Sequence, residues 1–224
     1  MKLMFTLKDI NLVYDLGKEE STYALRDVNI VFPDKGLIGI IGPSGSGKSS
    51  LINIMSGLKT PTSGEVFYGD QKINQLSADK RASLRKSQFG IVFQRGYLVD
   101  YLNVCDNVLV PVNNSTAPYK QKAKELLKSL GIGGHENKKP YKLSGGQRQR
   151  VSIARGLIAS PKVLFADEPT AALDHASARE VMEILAEYAK ENLVLIVTHD
   201  MSILDNADRV IKIWDGRIET EVSA

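Results

Sequence analysis

Residues 42 to 49 read Gly42, Pro43, Ser44, Gly45, Ser46, Gly47, Lys48 and Ser49: a glycine, four residues, then Gly-Lys-Ser. Glycines at 45 and 47 let the backbone turn so that successive N–H groups point inward, which makes a cradle for phosphate oxygens. Lys48 can set its ammonium between the outer phosphates, and the Ser49 hydroxyl can ligate Mg²⁺, with Ser50 next in line on the same helix start. The apolar run before this loop reads as a strand and a helix is expected from about Lys48. The loop therefore has the strand-to-helix setting that the chemistry needs, and the helix N-terminus adds a field that favours anions.

A second element is Val-Leu-Phe-Ala-Asp-Glu-Pro-Thr at residues 163 to 170, an apolar strand ending in Asp167 and Glu168. A carboxylate at the carboxyl end of a parallel strand stands on the edge where open sheets gather ligand groups. Asp167 would hold Mg²⁺ through water, because that ion keeps several of its own waters. Glu168 would polarise an attacking water, since a metaphosphate-like transition state asks for a well-placed nucleophile more than for a strong base. Residues 193 to 200 repeat the arrangement and end near His199, which can donate to a γ-phosphate oxygen or hold Glu168 in position. Gln94, read as ending the strand Gly-Ile-Val-Phe-Gln, has an amide that can reach Mg²⁺ or the attacking water. Taken singly, an acidic turn, a hydrogen-bonded histidine or a structural glutamine would explain each.

The elements that must position these groups follow from the apolar pattern. Short runs near residues 37, 89, 163, 193 and 210 are apolar on both faces and predict strands inside a sheet. Helical stripes lie between them: Leu51, Ile54, Met55 and Leu58; Ala123, Leu126, Leu127 and Leu130; Val181, Ile184, Leu185 and Tyr188. Gly57 and Gly131 fall where helices can end in the left-handed conformation, and Asp215-Gly216 suits a tight hairpin turn. Strands alternating with helices give an α/β fold with a mainly parallel sheet and antiparallel additions at the ends. Residues 1 to 224 read as one unit, with a stretch from about 95 to 160 richer in helix and loop signals. Gly156 lies within an expected helix, where it costs about 1 kcal/mol against alanine.

With 224 residues the chain can bury a sizeable core. Its 29 basic and 26 acidic residues leave +3, which indicates no dedicated nucleic-acid surface, although a local patch can hide in that average. Cys105 is the single cysteine, so no internal disulfide forms, and it reads as a packing residue. The opening residues lack a signal-length apolar stretch and are expected to stay on the chain. Nowhere do eighteen apolar residues run together, so a membrane role needs a partner to hold the chain there.

Leu143 to Arg150, Leu-Ser-Gly-Gly-Gln-Arg-Gln-Arg, resembles the signature of the ATP-binding-cassette family. The other motifs stand in that family's order. Tyr14 resembles its adenine-stacking aromatic, with Tyr23 a nearby competitor, and Ala171 to Asp174 resemble the segment that crosses its dimer interface. Ala171 and Ala172 replace the more frequent Ser-Ala or Ser-Gly there. Ser144 can cap the following helix while Gly145 and Gly146 expose backbone N–H groups, making with Gln147 a second anion site. The resemblance implies a P-loop NTPase core with an inserted helical signature subdomain at about 95–160, ATP and Mg²⁺ as cofactors, and hydrolysis of ATP to ADP and phosphate. It further implies a head-to-tail pair with a second cassette enclosing two ATP, each signature closing on the ATP held by the other phosphate loop; the intact elements permit a homodimer without requiring one. Glu168, His199 and Gln94 would be catalytic, and Ser49, Gln94 and Asp167 would face the metal.

Residues 25–29, 58–70 and above all 101–112 (Tyr-Leu-Asn-Val-Cys-Asp-Asn-Val-Leu-Val-Pro-Val) resemble the lipoprotein-release, macrolide-export, peptide-antibiotic-resistance and cell-division ATPases. That likeness implies a membrane permease as partner, a cytoplasmic place on the inner face of the membrane, and export or mechanical work across it. Residues 95 to 112 would be either permease-docking surface or internal core. A cell-division-type regulatory ATPase is an alternative. A soluble cassette protein acting on nucleic acid is disfavoured, because such proteins generally carry a coiled-coil insertion or tandem cassettes, and this chain has neither.

Overall fold

The computed structural model describes residues 3–15, 21–112 and 116–223. It opens with two long antiparallel strands, β1 (Leu3–Tyr14) and β2 (Thr22–Pro33). The apolar pattern did not announce them, and the reason is a change of phase. In β1 the buried residues run Phe5, Leu7 and then Ile10, Leu12. The switch falls at Asp9, whose φ is 49°; a second left-handed residue, Asp27 in β2, at 48°, faces Asn11, and the ladder shifts register between Leu7 and Ile10. Each bulge is closed by side chains in place of the lost ladder bonds. The Asp9 N–H donates to Asn29 Oδ1 and Asn29 Nδ2 to Asp9 Oδ1, both at 3.0 Å. The Asp27 N–H donates to Asn11 Oδ1 at 3.0 Å, and Asn11 Nδ2 to Asp27 Oδ1 at 3.1 Å.

Next come β3 (Gly36–Ile41), α1 (Lys48–Met55), β4 (Ser63–Tyr68) and β5 (Gln71–Lys72). Strands β4 and β5 complete an antiparallel sheet in the order β2-β1-β4-β5. The chain continues through α2 (Ala78–Gln88), β6 (Phe89–Val92), α3 (Val104–Leu109), α4 (Ala117–Ser129), α5 (Gly145–Leu157), β7 (Val163–Asp167), α6 (His175–Ala189), β8 (Leu193–Thr198), β9 (Arg209–Trp214) and β10 (Arg217–Ser223). A second sheet has the order β10-β9-β3-β8-β7-β6, parallel except for the hairpin strand β10.

Alternate residues of this second sheet feed two cores. Ile38, Ile40, Phe165, Leu195 and Val197 pack with α1 and the antiparallel sheet. Leu37, Leu164, Ala166, Val194 and Ile196 pack with residues of α3 to α6. The five runs expected as strands are β3, β6, β7, β8 and β9. Their carboxyl ends form one edge, where the loop before α1 and the residues after β7 and β8 emerge. Burying both faces of β3, β7 and β8 is what made them readable as continuous apolar runs, whereas β9 buries only Ile211 and Ile213.

Helix α1 is shorter than its sequence stripe. It ends at Met55, the Ser56 N–H bonds to the Ile52 carbonyl at 2.8 Å, and Gly57 turns left-handed at φ 68°. Leu58 therefore lies beyond the turn, 45 % exposed, and does not share the core face with Leu51, Ile54 and Met55. Gly131, at φ 67°, likewise follows α4. Asp215 and Gly216 both have positive φ, 43° and 74°, the form of tight turn that matches strand twist. Between residues 95 and 160 the described residues hold α3, α4 and α5 and no strand. Among the described residues no helix is long and apolar enough to cross a membrane.

Candidate nucleotide site

The loop between β3 and α1 is wedged against its neighbours. A Cβ on Gly42 would lie 2.2 Å from the Ile213 carbonyl oxygen, and one on Gly47 would lie 2.2 Å from that of Ala24, so both positions exclude any side chain. A Cβ on Gly45 would meet nothing within 4 Å: this is the open side of the cradle. The Gly216 N–H, in the β9–β10 turn, donates to the Ser46 carbonyl at 3.0 Å, while the Gly216 carbonyl accepts from the Arg26 N–H at 2.8 Å. The turn thus ties the loop to β2. Lys48 Nζ donates to the carbonyls of Gly42 and Pro43, each at 2.8 Å. Burial pushes its pKa down, opposed by the charges of Glu168 and Asp167. The buried Ser46 hydroxyl has no hydrogen-bond partner, which leaves a polar group for a bound oxygen.

The two carboxylates differ in their surroundings. Asp167 closes β7, and burial raises its pKa; a hydrogen bond from the Ser49 hydroxyl opposes this, the charge of Glu168 adds to it, and Lys48 opposes it. The helix start and the acidic strand end thus face each other through Ser49 and Asp167. A hydroxyl beside a carboxylate is a hard-oxygen pair that suits Mg²⁺. Among the described residues no group of three or more His, Cys, Asp or Glu could hold a metal.

Glu168 is held from several sides. It sits at φ 48°, its N–H donates to the Val197 carbonyl at 2.8 Å, and its side chain is almost fully buried. Thr198 Oγ1 donates to Oε2 at 3.2 Å, and the His199 N–H donates to Oε1 at 3.1 Å. His199 Nδ1 also lies 2.8 Å from Oε1, so that bond, and then the glutamate charge, raise the histidine pKa. The geometry sets His199 against Glu168, one of the two contacts open to it in the sequence. Its ring is 70 % exposed.

The Tyr14 hydroxyl lies 3.4 Å from Ser50 Oγ on α1, and Lys59 Nζ sits 4.0 Å over the Tyr14 ring. Tyr23 instead carries the Arg26 guanidinium at 4.4 Å. Tyr14 is thus the aromatic attached to the phosphate-loop helix. Gln94 does not end a strand: β6 stops at Val92, and Gln94 is exposed two residues later. The segment that follows is gripped by a residue the sequence did not single out. Arg155 on α5 donates to the carbonyls of Gly96 at 2.6 Å and Tyr97 at 2.8 Å.

The residues from Ser144 to Gln147 begin α5 with a reciprocal cap. The Gln147 N–H donates to Ser144 Oγ at 3.2 Å and the Ser144 N–H to Gln147 Oε1 at 3.0 Å. The Gln147 side chain is turned back onto its own helix, and the Ser-x-x-Gln spacing was a readable signal of this. The N–H groups of Gly145 and Gly146 stay outside the box at the helix N-terminus, where an anion is favoured. A Cβ on Gly146 would lie 3.0 Å from Leu173 Cδ2 and 3.1 Å from the Ala172 carbonyl oxygen. The signature therefore abuts the segment 171–174, whose Asp174 caps α6 by accepting the Ser177 N–H at 3.0 Å.

The family described as ABC transporter matches residues 25–171. The macrolide export ATP-binding/permease protein MacB of Escherichia coli is 41 % identical over 222 residues, covering 97 % of this chain and 34 % of that protein. The chain spans about a third of the length of the MacB relatives it matches. An uncharacterized ABC transporter ATP-binding protein of Methanocaldococcus jannaschii is 40 % identical, covering 96 % of this chain and 97 % of that one. The dimeric structure of MJ0796, a bacterial ABC transporter cassette, superimposes with a TM-score of 0.94 at 36 % identity over 98 % of both chains. A dimeric post-hydrolysis state of the same cassette, bound to ADP and Pi, gives 0.93 at 36 % identity over 98 % of both. With an intact phosphate loop, acidic pair and signature on that fold, the chain belongs to the ABC transporter family, as an ATP-binding and ATP-hydrolysing cassette.

Proposed function

We propose that the site works through the following roles. Lys48 and the N–H groups of residues 45 to 49 hold the outer phosphates of ATP, and Tyr14 stacks on adenine. Ser49 and Asp167, with Gln94 reaching in from its exposed segment, face Mg²⁺, which when bound neutralises phosphate charge. Glu168 orients the attacking water, and His199 and Thr198 keep its carboxylate aimed. The observation that carries this reading is the Glu168 carboxylate, fixed by donors from Thr198 and His199, next in the chain to Asp167 at the end of β7.

Two such chains pair head to tail around two ATP, so that Ser144, Gly145 and Gly146 of one close on the nucleotide of the other. The dimeric MJ0796 cassette supports this assembly. The pair drives a membrane permease at the inner face of the membrane, for export or mechanical work, and the likeness to MacB supports that class of partner. Nucleic acid is not expected as a partner. The docking surface is the segment after Gln94. Val104, Val108 and Leu109 turn inward to the core, but Tyr97 is 66 % exposed. A groove of about 420 Å³ lies between α2 and α5, lined by Arg85, Phe93, Tyr97, Pro111 and Arg155 among others.

The test is a pull-down of Glu168→Gln with ATP and Mg²⁺ from detergent-solubilised membranes. Recovery of a permease is expected. Recovery of soluble or ribosomal partners alone, with the closed dimer confirmed, overturns the permease reading and leaves the ATPase chemistry standing.

A further inference from the structure

The near-neutral charge of the chain conceals a local excess. Between Thr116 and Lys142 stand seven lysines against two glutamates, more positive charge than the +3 of the whole chain. Lys120, Lys124 and Lys128 repeat every four residues along α4, all exposed, flanking the stripe of buried Ala123 and Leu127. Lys120 and Lys124 both stand close enough to Cys105 to act on its thiol. The start of α3 is stitched to the loop before α5: the Cys105 N–H donates to the Glu136 carbonyl and the Val104 N–H to that of Lys138, each at 2.9 Å. Lys139 Nζ donates to the Tyr101 carbonyl at 2.7 Å. The lysines of α4, the loop 136–142 and Tyr101 thus form one continuous surface.

Two tyrosines project from it. Tyr101 is 80 % and Tyr141 71 % exposed, and the Lys142 ammonium lies 5.9 Å from the Tyr141 ring centroid. Neither ring contributes to a buried core, and large exposed aromatics beside ammonium groups mark an amphipathic contact surface. We propose that Tyr101, Tyr141 and the surrounding lysines contact the headgroup layer of an anionic lipid bilayer. The charge complements anionic headgroups, and the tyrosine rings, apolar in body and polar at the tip, suit the interfacial layer. Asp100, Asp106, Glu125 and Glu136 temper the field without cancelling it. The proposal rests on the membrane-bound role above, because the patch adjoins the segment that faces the permease and is brought to the bilayer with it.

Flotation of the full chain with vesicles of phosphatidylcholine, alone or mixed equally with phosphatidylglycerol, tests it. Binding to the anionic vesicles alone, weakened by salt, is expected. Each lysine near the surface is worth about fivefold, so Lys124→Gln, Lys138→Gln and Lys142→Gln together should weaken binding more than tenfold. Tyr101→Ser with Tyr141→Ser should weaken it several-fold. A control triple on other faces, Lys35→Gln, Lys80→Gln and Lys162→Gln, removes equal charge and should change it less than about twofold. Equal losses in both triples, absence of anionic-vesicle binding, or preference for a single-stranded RNA homopolymer at the same salt overturns the proposal. The pull-down above separates the two readings. A chain that recovers a permease without floating refutes the patch alone, and a chain that recovers none refutes the role on which it rests.

Discussion

The carbonyl oxygen of Gly156 lies 2.3 Å from where a Cβ of Gly90 would stand. The signature helix α5 and the strand β6 that leads to Gln94 therefore meet backbone to backbone. A Cβ on Gly156 would in turn lie 2.9 Å from Val92 Cγ2, so the helix-propensity cost of about 1 kcal/mol at that glycine is offset by a contact that alanine would prevent.

Gly90→Ala should overpack this crossing and cost about 1–3 kcal/mol. Its chemical-denaturation midpoint should drop below that of the parent chain, and an unchanged midpoint would show that the crossing relaxes freely.

Glu168→Gln should retain ATP binding while slowing hydrolysis by about a hundredfold or more, the range of positioned acid–base groups. Steady-state turnover beside a nucleotide-binding titration checks both halves. Undiminished turnover would remove Glu168 from its role.

His199→Ala deletes one contact to Glu168 but leaves the donors at the His199 N–H and Thr198 Oγ1. Turnover should fall with little change in KM, because the loss is one of aim rather than of substrate contact. A rise in KM at constant kcat would show that the ring binds nucleotide instead.

Lys48→Ala removes a charge-assisted donor worth about 1.5–3 kcal/mol, so ATP affinity should fall about tenfold to a hundredfold in calorimetric titration. An affinity within twofold of the parent would mean that the loop amides suffice.

Tyr14→Ala should weaken ATP binding several-fold, in line with the roughly 0.5–1.5 kcal/mol of an aromatic stack, and Tyr23→Ala should not. Triphosphate alone should bind both variants like the parent. The reverse ranking would transfer the adenine contact to Tyr23.

What could be read in the sequence was contiguous. The phosphate loop, the acidic pair and the signature are each carried by adjacent residues, and β3, β6, β7 and β8 are apolar on both faces. What escaped depends on partners far along the chain. The bulges at Asp9 and Asp27 break the alternation of β1 and β2, and their compensation comes from Asn29 and Asn11 across the ladder. Leu58 kept the helical spacing but fell beyond the turn at Gly57, and Gln94 fell beyond its strand. Arg155 looked like one more basic residue until the fold set it on the Gly96 and Tyr97 carbonyls.

The hydrogen bond from Gly216 to the Ser46 carbonyl also bears on how the protein is made. Synthesis runs from the N-terminus, and the phosphate loop leaves the ribosome long before the hairpin that braces it. Until Gly216 is out, the loop lacks one of its walls, however well β3 and α1 have formed. Nucleotide grip should then arrive late in biogenesis, as a step that reports completion of the second sheet, and ribosome-bound chains ending before the hairpin should hold ATP poorly.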